Sequence, residues 1–227
     1  GAVLVFGDVG AGTTAVVAAL KARGAAAVVW VEAAGGFEFI GGDRALVAPG
    51  EAADAARLLA AVRERAGPVR RVVHLWNVDA GGDVRGRGFL TLTALARALD
   101  EVQPGQPVAL DVVTRGLADV TGDEPLDPGQ ALLVGPGRVL PQEHPSLSCR
   151  LVDLGTVPLA DAAMRVAAEV PAADEGLVVA YRGAHRWVQA YTAVARPAPA
   201  RRPWRQEGVY LITRGLGGGG LAPARPP

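Results

Sequence analysis

Residues 1–14 read Gly-Ala-Val-Leu-Val-Phe-Gly-Asp-Val-Gly-Ala-Gly-Thr-Thr, and the pieces on either side of the glycines decide the fold. Val3-Leu-Val-Phe6 is an apolar run of strand length with no polar residue to alternate, the pattern of a strand covered on both faces. Gly7, Gly10 and Gly12 interrupt it. Residues 13–23 are rich in Ala and Val and predict a helix that stops at Gly24. A buried strand, a tight glycine loop and a helix together open a βαβ unit.

The alternation continues outward. Ala27-Val-Val-Trp-Val31 reads as a second buried strand. Residues 51–66 carry Ala55, Leu58, Leu59 and Val62 at helical spacing with charges between them. Arg71-Val-Val-His-Leu75 is a strand, residues 89–102 a helix, Val108-Ala-Leu-Asp-Val-Val113 a strand. Leu132-Leu-Val134 falls in a helical segment, and Cys149-Arg-Leu-Val152 is a late strand. The expected fold class is α/β: a shortened, Rossmann-like, doubly wound parallel sheet. After about Val170 the pattern changes. Leu177-Val-Val-Ala-Tyr181 and Arg186-Trp-Val-Gln-Ala-Tyr191 flank the turn Arg182-Gly-Ala-His185, which predicts a C-terminal β-hairpin extension. A Pro- and Arg-rich linker follows over residues 196–203, and Gly208-Val-Tyr-Leu-Ile-Thr213 reads as a new buried strand. The expected organisation is a Rossmann-like unit over residues 1–170, hairpin and linker over 171–207, and the opening of a second unit over 208–227.

Composition excludes several function classes. Of 227 residues 50% are hydrophobic, enough for a packed core, and 23 basic residues balance 23 acidic ones. A nucleic-acid or anionic-membrane binder needs a basic surplus. No apolar run reaches the roughly 18–20 residues that span a bilayer. Cys149 is the single cysteine, so no disulfide framework or Cys-based zinc site is encoded, and a reducing cytoplasm fits. The first residues lack a charged n-region, which argues against a signal peptide.

The glycine loop invites two nucleotide readings. A P-loop needs Gly-x4-Gly-Lys-Ser/Thr, and Gly7 and Gly12 have that spacing, but Thr13 stands where the lysine belongs. A Rossmann loop needs Gly-x-Gly-x-x-Gly, which Gly7, Gly10 and Gly12 do not reproduce. Glu32 does end the second strand, where a ribose-binding acid would sit. A tight turn without ligand explains the loop more simply. His74 could serve as a base, yet no acid or nucleophile sits at a telling spacing, so a packed histidine is the plainer reading. Asn77 and Asp79 follow at the strand's carboxyl end, where α/β ligands bind, and turn chemistry accounts for them equally well. Asp119, Asp123, Glu124 and Asp127 form an acidic loop without the EF-hand pattern; caps and solvated charges account for it.

Several segments resemble one family. Thr114-Arg-Gly-Leu-Ala-Asp-Val-Thr-Gly-Asp-Glu-Pro-Leu126, Gly135-Pro-Gly-Arg-Val-Leu-Pro-Gln-Glu-His-Pro145, Val73-His-Leu-Trp76 and Tyr181-Arg-Gly-Ala-His-Arg-Trp-Val-Gln-Ala-Tyr191 are similar to the structural subdomain of ketoreductases from modular type I polyketide synthases. Glu207-Gly-Val-Tyr-Leu-Ile-Thr-Arg-Gly-Leu-Gly-Gly-Gly-Gly-Leu221 resembles the first strand and NADPH-binding loop of the catalytic, short-chain-dehydrogenase-like subdomain. The resemblance implies a brace that binds no cofactor, attached to a half that reduces a β-ketoacyl group on an acyl carrier protein with NADPH. The implied partners are the rest of the ketoreductase, its module and the carrier protein, with no nucleic acid and no membrane.

The resemblance also implies that catalysis is missing from this chain. The family uses a Ser, a Tyr and a Lys four residues after the Tyr. Lys21 is the single lysine, and His185, Ala195 and Arg214 stand four residues beyond Tyr181, Tyr191 and Tyr210. No catalytic and no metal residue is therefore expected. Thr213, Gly215, Gly218 and Gly220 match cofactor-loop positions by resemblance, but Arg214 replaces a glycine, Gly219 replaces an apolar residue, and Pro223, Pro226 and Pro227 follow where a helix should start. Proline inside a helix costs about 3 kcal/mol. The expectation is a scaffold, inactive alone, that ends inside the cofactor loop; the alternative is a free-standing nucleotide-binding protein using Gly7 to Thr14.

Overall fold

Strand β1 (Ala2–Phe6) is buried along its whole length, as its unbroken apolar run requires. It lies inside a nine-stranded sheet of β2 (Ala27–Ala33), β3 (Glu38–Phe39), β4 (Arg44–Val47), β5 (Val69–His74), β6 (Val108–Thr114), β7 (Leu147–Asp153), β8 (Val178–Arg182) and β9 (His185–Val188). The order across the sheet is β3-β4-β2-β1-β5-β6-β7-β8-β9. Pairings from β4 to β8 are parallel; β3 on β4 and β9 on β8 are antiparallel. The chain winds outward from β1 to β4, then returns to β1's other side at β5. That reversal places a crevice outside the carboxyl ends of β1 and β5, where doubly wound folds bind ligands.

The computed structural model describes residues 1–78, 83–169, 176–195, 205 and 207–211. Alternate strand residues feed two cores. On one face Leu4, Phe6, Val72, Leu110 and Leu151 pack with α2 (Ala52–Ala66), α3 (Thr91–Val102) and α4 (Val134–Glu143). On the other, Val3, Val5, Val73, Val113 and Val152 pack with α1 (Ala11–Ala22) and α5 (Leu159–Ala168). The shortened, doubly wound, Rossmann-like sheet with its C-terminal hairpin is thus the observed fold. The hairpin turns through Gly183 at φ 55°, a conformation that favours glycine.

Several elements depart from the sequence reading. Strands β3 and β4 and helix α5 carried no clear pattern. A π-helical turn, Val84–Leu90, precedes α3, and a 3-10 turn, Pro128–Leu133, precedes α4. The chain divides into two units, Gly1–Ala190 and Tyr191–Pro227. In the second, residues 208–211 form no strand, and Val209 and Leu211 are exposed. An apolar run becomes a strand only when neighbours take up its backbone groups. The Gly208 amide instead donates to the Arg205 carbonyl at 3.1 Å, a local turn. Ile212 and Thr213, the remainder of that expected strand, lie outside the described residues, as does the linker over residues 196–203.

Candidate functional site

The crevice between β1 and β5 is lined by the loop after β1 and the turn after β5. After β1 the chain turns at Gly7, whose amide bonds to the Val31 carbonyl at 3.0 Å and whose carbonyl accepts the Trp30 indole N–H at 2.7 Å. A Cβ on Gly7 would stand 2.6 Å from Thr13 Oγ1, and one on Gly12 would stand 2.8 Å from Leu159 Cδ2. The first glycine makes room for Thr13, the residue at the P-loop lysine position. The third lets α1 approach α5. Two of the three loop glycines therefore serve internal packing. Glu32 accepts from Arg44 Nε at 2.8 Å, so the candidate ribose acid holds a neighbouring strand.

On the opposite lip His74 is fully buried, stacked on Phe6 at 5.7 Å between ring centres. Burial pulls its pKa down to about 4, so the ring is neutral at physiological pH. Its Nδ1 lies 3.0 Å from Asn77 Nδ2. An amide nitrogen only donates, which assigns the ring hydrogen to Nε2. His74 is thus the packed histidine its spacing implied. Trp76 packs edge-on against Phe6, with 5.1 Å between ring centres.

The π-helical turn delivers Arg87 into this space. Asp83 caps it, accepting from the Gly86 amide at 2.9 Å. A Cβ on Gly88 would lie 2.5 Å from Asn77 Oδ1. Arg87 forms an ion pair with Asp8, and its guanidinium carbon stands 5.2 Å from the Trp76 ring centre. Arg87 thereby joins both lips. Gln130 donates to the Asn77 carbonyl at 2.9 Å. Among the described residues, His74 Nε2, Trp76 Nε1, Asn77 Oδ1, Arg87 Nε and Gln130 Oε1 are buried side-chain atoms without a hydrogen-bond partner.

Further along the carboxyl end the carboxylates are paired. Asp153 accepts from Thr114 Oγ1 at 3.1 Å, from the Leu117 amide at 3.0 Å and from Arg182 Nη2 at 2.8 Å. Arg182 Nε donates to Glu124 at 2.8 Å, and Glu124 also accepts from the amides of Val120, Thr121 and Gly122. Desolvation would raise Glu124, but Arg182 and those amides outweigh it and hold it well below the carboxylate range. Asp119 and Asp127 receive the amides of Gly122 and Gly129, and Asp123 receives the Thr121 hydroxyl. The acidic loop is a set of turn and cap interactions. No group of three or more His, Cys, Asp or Glu is placed to hold a metal among the described residues. Burial pushes the Cys149 thiol up to about 12, which disfavours its thiolate at neutral pH. Tyr181 is likewise raised to about 12, by burial and by its hydrogen bond to Glu169.

Thr213, Gly215, Gly218, Gly220 and Asp79 lie outside the described residues. Arg87, Gln130, Asp153 and Arg182, which shape the crevice and its flank, carried no signal in the sequence. An arginine in a loop reads as a solvated charge until its partner is known.

No protein-family model matches the chain. It is 35% identical over 140 residues to a phenolphthiocerol/phthiocerol polyketide synthase protein of Mycobacterium tuberculosis, covering 60% of this chain and 8% of that protein. It is 32% identical over 182 residues to polyketide synthase GfsA of Streptomyces halstedii, covering 76% of this chain and 2% of that one. A C2-type ketoreductase from a modular polyketide synthase superposes with a TM-score of 0.59 at 29% identity, over 82% of this chain and 38% of that structure. The chain is polyketide synthase ketoreductase-like. It spans less than a tenth of these two curated relatives. Within this ketoreductase-like fold, the crevice of the described unit holds the Arg87–Asp8 pair beside Trp76. No helix of the described residues is long and apolar enough to cross a membrane.

Proposed function

We propose that this chain is the structural subdomain of a polyketide synthase ketoreductase and does no chemistry by itself. The observation that supports the reading is the crevice between β1 and β5: its lips are joined by the protein's own Arg87–Asp8 pair, and Asn77 there is bonded to His74 and Gln130. Residues 1–170 form the Rossmann-like brace, residues 171–207 the hairpin and linker, and residues 208–227 open the catalytic subdomain. Thr213, Gly215, Gly218 and Gly220 are the proposed first residues of its NADPH loop. The complete domain reduces a β-ketoacyl group on an acyl carrier protein to the β-hydroxyacyl form with NADPH, in the cytoplasm, as one part of a larger module. Hydride transfer and proton donation belong to the catalytic half.

The test supplies a catalytic half as a separate polypeptide and follows NADPH oxidation with a β-ketothioester. This chain alone is expected to give no turnover, and its addition to raise the activity or melting temperature of the catalytic half. Turnover by this chain alone, or no effect on the catalytic half, would sink the reading. Against the alternative of a free-standing nucleotide binder stand Gly7 and Gly12, whose open faces are taken up by Thr13 and Leu159.

A further inference from the structure

Strand β8 is sealed on one side only. Val179 and Tyr181 are buried in the core that holds α5. Side chains alternate along a strand, so Val178 and Ala180 face the side that carries α2, α3 and α4. Trp187 of β9 pairs with Ala180 and shares that face. Among the described residues no helix follows α4 there, and the next in the chain, α5, packs into the opposite core. The helix layer therefore stops short of β8 and β9. What remains is a groove of about 450 Å³, floored by Val178, Ala180 and Trp187, walled by Val134 of α4, and ended by the loop over residues 117–120. Arg182 pins that loop by donating to the Ala118 carbonyl at 2.6 Å. Trp187 is 47% exposed.

Geometry and connectivity select the occupant. Two strands spaced about 4.8 Å apart leave about 10 Å of sheet, the diameter of one helix. A two-fold pairing with a second copy would set groove against groove and fill neither. Gln189, on the groove's rim, is where the chain leaves the hairpin toward residues 208–227. A partner tethered there reaches an effective concentration on the order of millimolar, so it needs little intrinsic affinity. We propose that the groove seats an amphipathic helix of the catalytic half, laid beside α4 with its apolar stripe on Trp187 and Val134. The inference rests on the reading of this chain as the brace of a two-part domain, and adds where the other part is held.

The experiment titrates the full chain and its Trp187→Ser, Trp187→Glu and Met164→Glu variants with the separate catalytic half by calorimetry. Circular dichroism and sedimentation of each chain alone report fold and oligomeric state. Met164 is exposed on α5, on the other side of the sheet, and serves as the control. Met164→Glu is expected to bind like wild type. Both Trp187 variants are expected to bind at least about tenfold more weakly, as loss of a buried aromatic anchor implies. Amide exchange at residues 187–189 of wild type is expected to slow in the complex. Folded Trp187 variants that bind like wild type overturn the inference, as does equal weakening by Met164→Glu. If both Trp187 variants unfold, unchanged exchange at residues 187–189 overturns it. A wild-type dimer that Trp187→Ser dissociates also overturns it, and assigns the groove to a second copy. Wild type that does not bind the catalytic half at all has a different meaning: it overturns the brace reading itself, and the inference with it.

Discussion

Two of the polar knots in this sheet are built on different terms. One spans the strands toward the hairpin on the α5 face. Arg71 on β5 bonds to Asp111 on β6 at 2.6 Å; Arg150 on β7 bonds to Glu169, just past α5, at 2.7 Å; Tyr181 on β8 and Arg186 on β9 close on the same Glu169. Arg71 also donates to the carbonyls of Val166 and Ala167 at the end of α5. The other knot is the crevice, where five buried polar atoms have no partner among the described residues. An unpaired buried polar group costs about 1–3 kcal/mol, whereas a paired charge costs most when its partner is removed. Among the described residues the hairpin side leaves one buried polar atom, Asp111 Oδ1, without a hydrogen bond, whereas the crevice leaves five.

That contrast can be broken. The largest effect is expected from Glu169→Gln, which leaves Arg150, 2% exposed, facing a neutral group: a loss of about 3–5 kcal/mol in chemical denaturation. Asp153→Asn strips a buried carboxylate from Arg182, with an expected loss of about 2–4 kcal/mol by the same measurement and increased amide exchange at Leu117 and Ala118, whose N–H groups it receives.

The pH dependence sharpens the comparison. His74 is lowered by burial to about 4, so its contribution is complete above pH 6.5 and is lost as pH falls toward 4. Asp111 is raised by burial to about 6 despite Arg71, so its contribution is greatest below pH 3.8 and is lost as pH rises toward 6. Burial would raise Glu169 too, but Arg186, Tyr181 and Arg150 bring it down to about 2, and its contribution is lost as pH falls from 4.5. Between pH 6 and 4 the crevice and the hairpin side therefore oppose each other. His74→Phe is expected to flatten the fall in unfolding free energy on acidification, and Asp111→Asn to steepen it, each by no more than about 3 kcal/mol. Equal slopes in both variants would show that neither group titrates as its burial implies. The smallest effect is expected at Trp187, 47% exposed on edge strand β9: Trp187→Ser should shift denaturation by no more than about 0.5 kcal/mol.

How much of this was legible in the sequence follows from range. Val3-Leu-Val-Phe6, Leu58 with Leu59 and Val62, and the turn at Gly183 announce themselves through local periodicity and backbone preference, because strand, helix and turn are each made by residues close in the chain. Strand β4 and helix α5 did not. Arg44-Ala-Leu-Val47 is too short for a period to show, and the Ala-rich run from Leu159 becomes a recognisable helix only against the sheet and α1. The run from Gly208 shows the reverse error: its apolar pattern predicts a strand, and residues 208–211 form none.

The candidate site divides along the same line. His74 and Asn77 were visible because they end a strand at the edge where α/β folds place ligands. Arg87 was not, since its meaning depends on Asp8, 79 positions earlier. By itself the sequence determined an α/β chain of doubly wound type, a glycine loop unsuited to the usual nucleotide patterns, and the want of a Tyr–Lys pair. Those are properties of spacing and residue type, which the chain carries before it folds. Only the tertiary structure decided what the glycines are for and what joins the lips of the crevice. Both depend on contacts between side chains far apart in sequence, Gly12 with Leu159 and Asp8 with Arg87, which exist once the sheet has brought the carboxyl ends of β1 and β5 together.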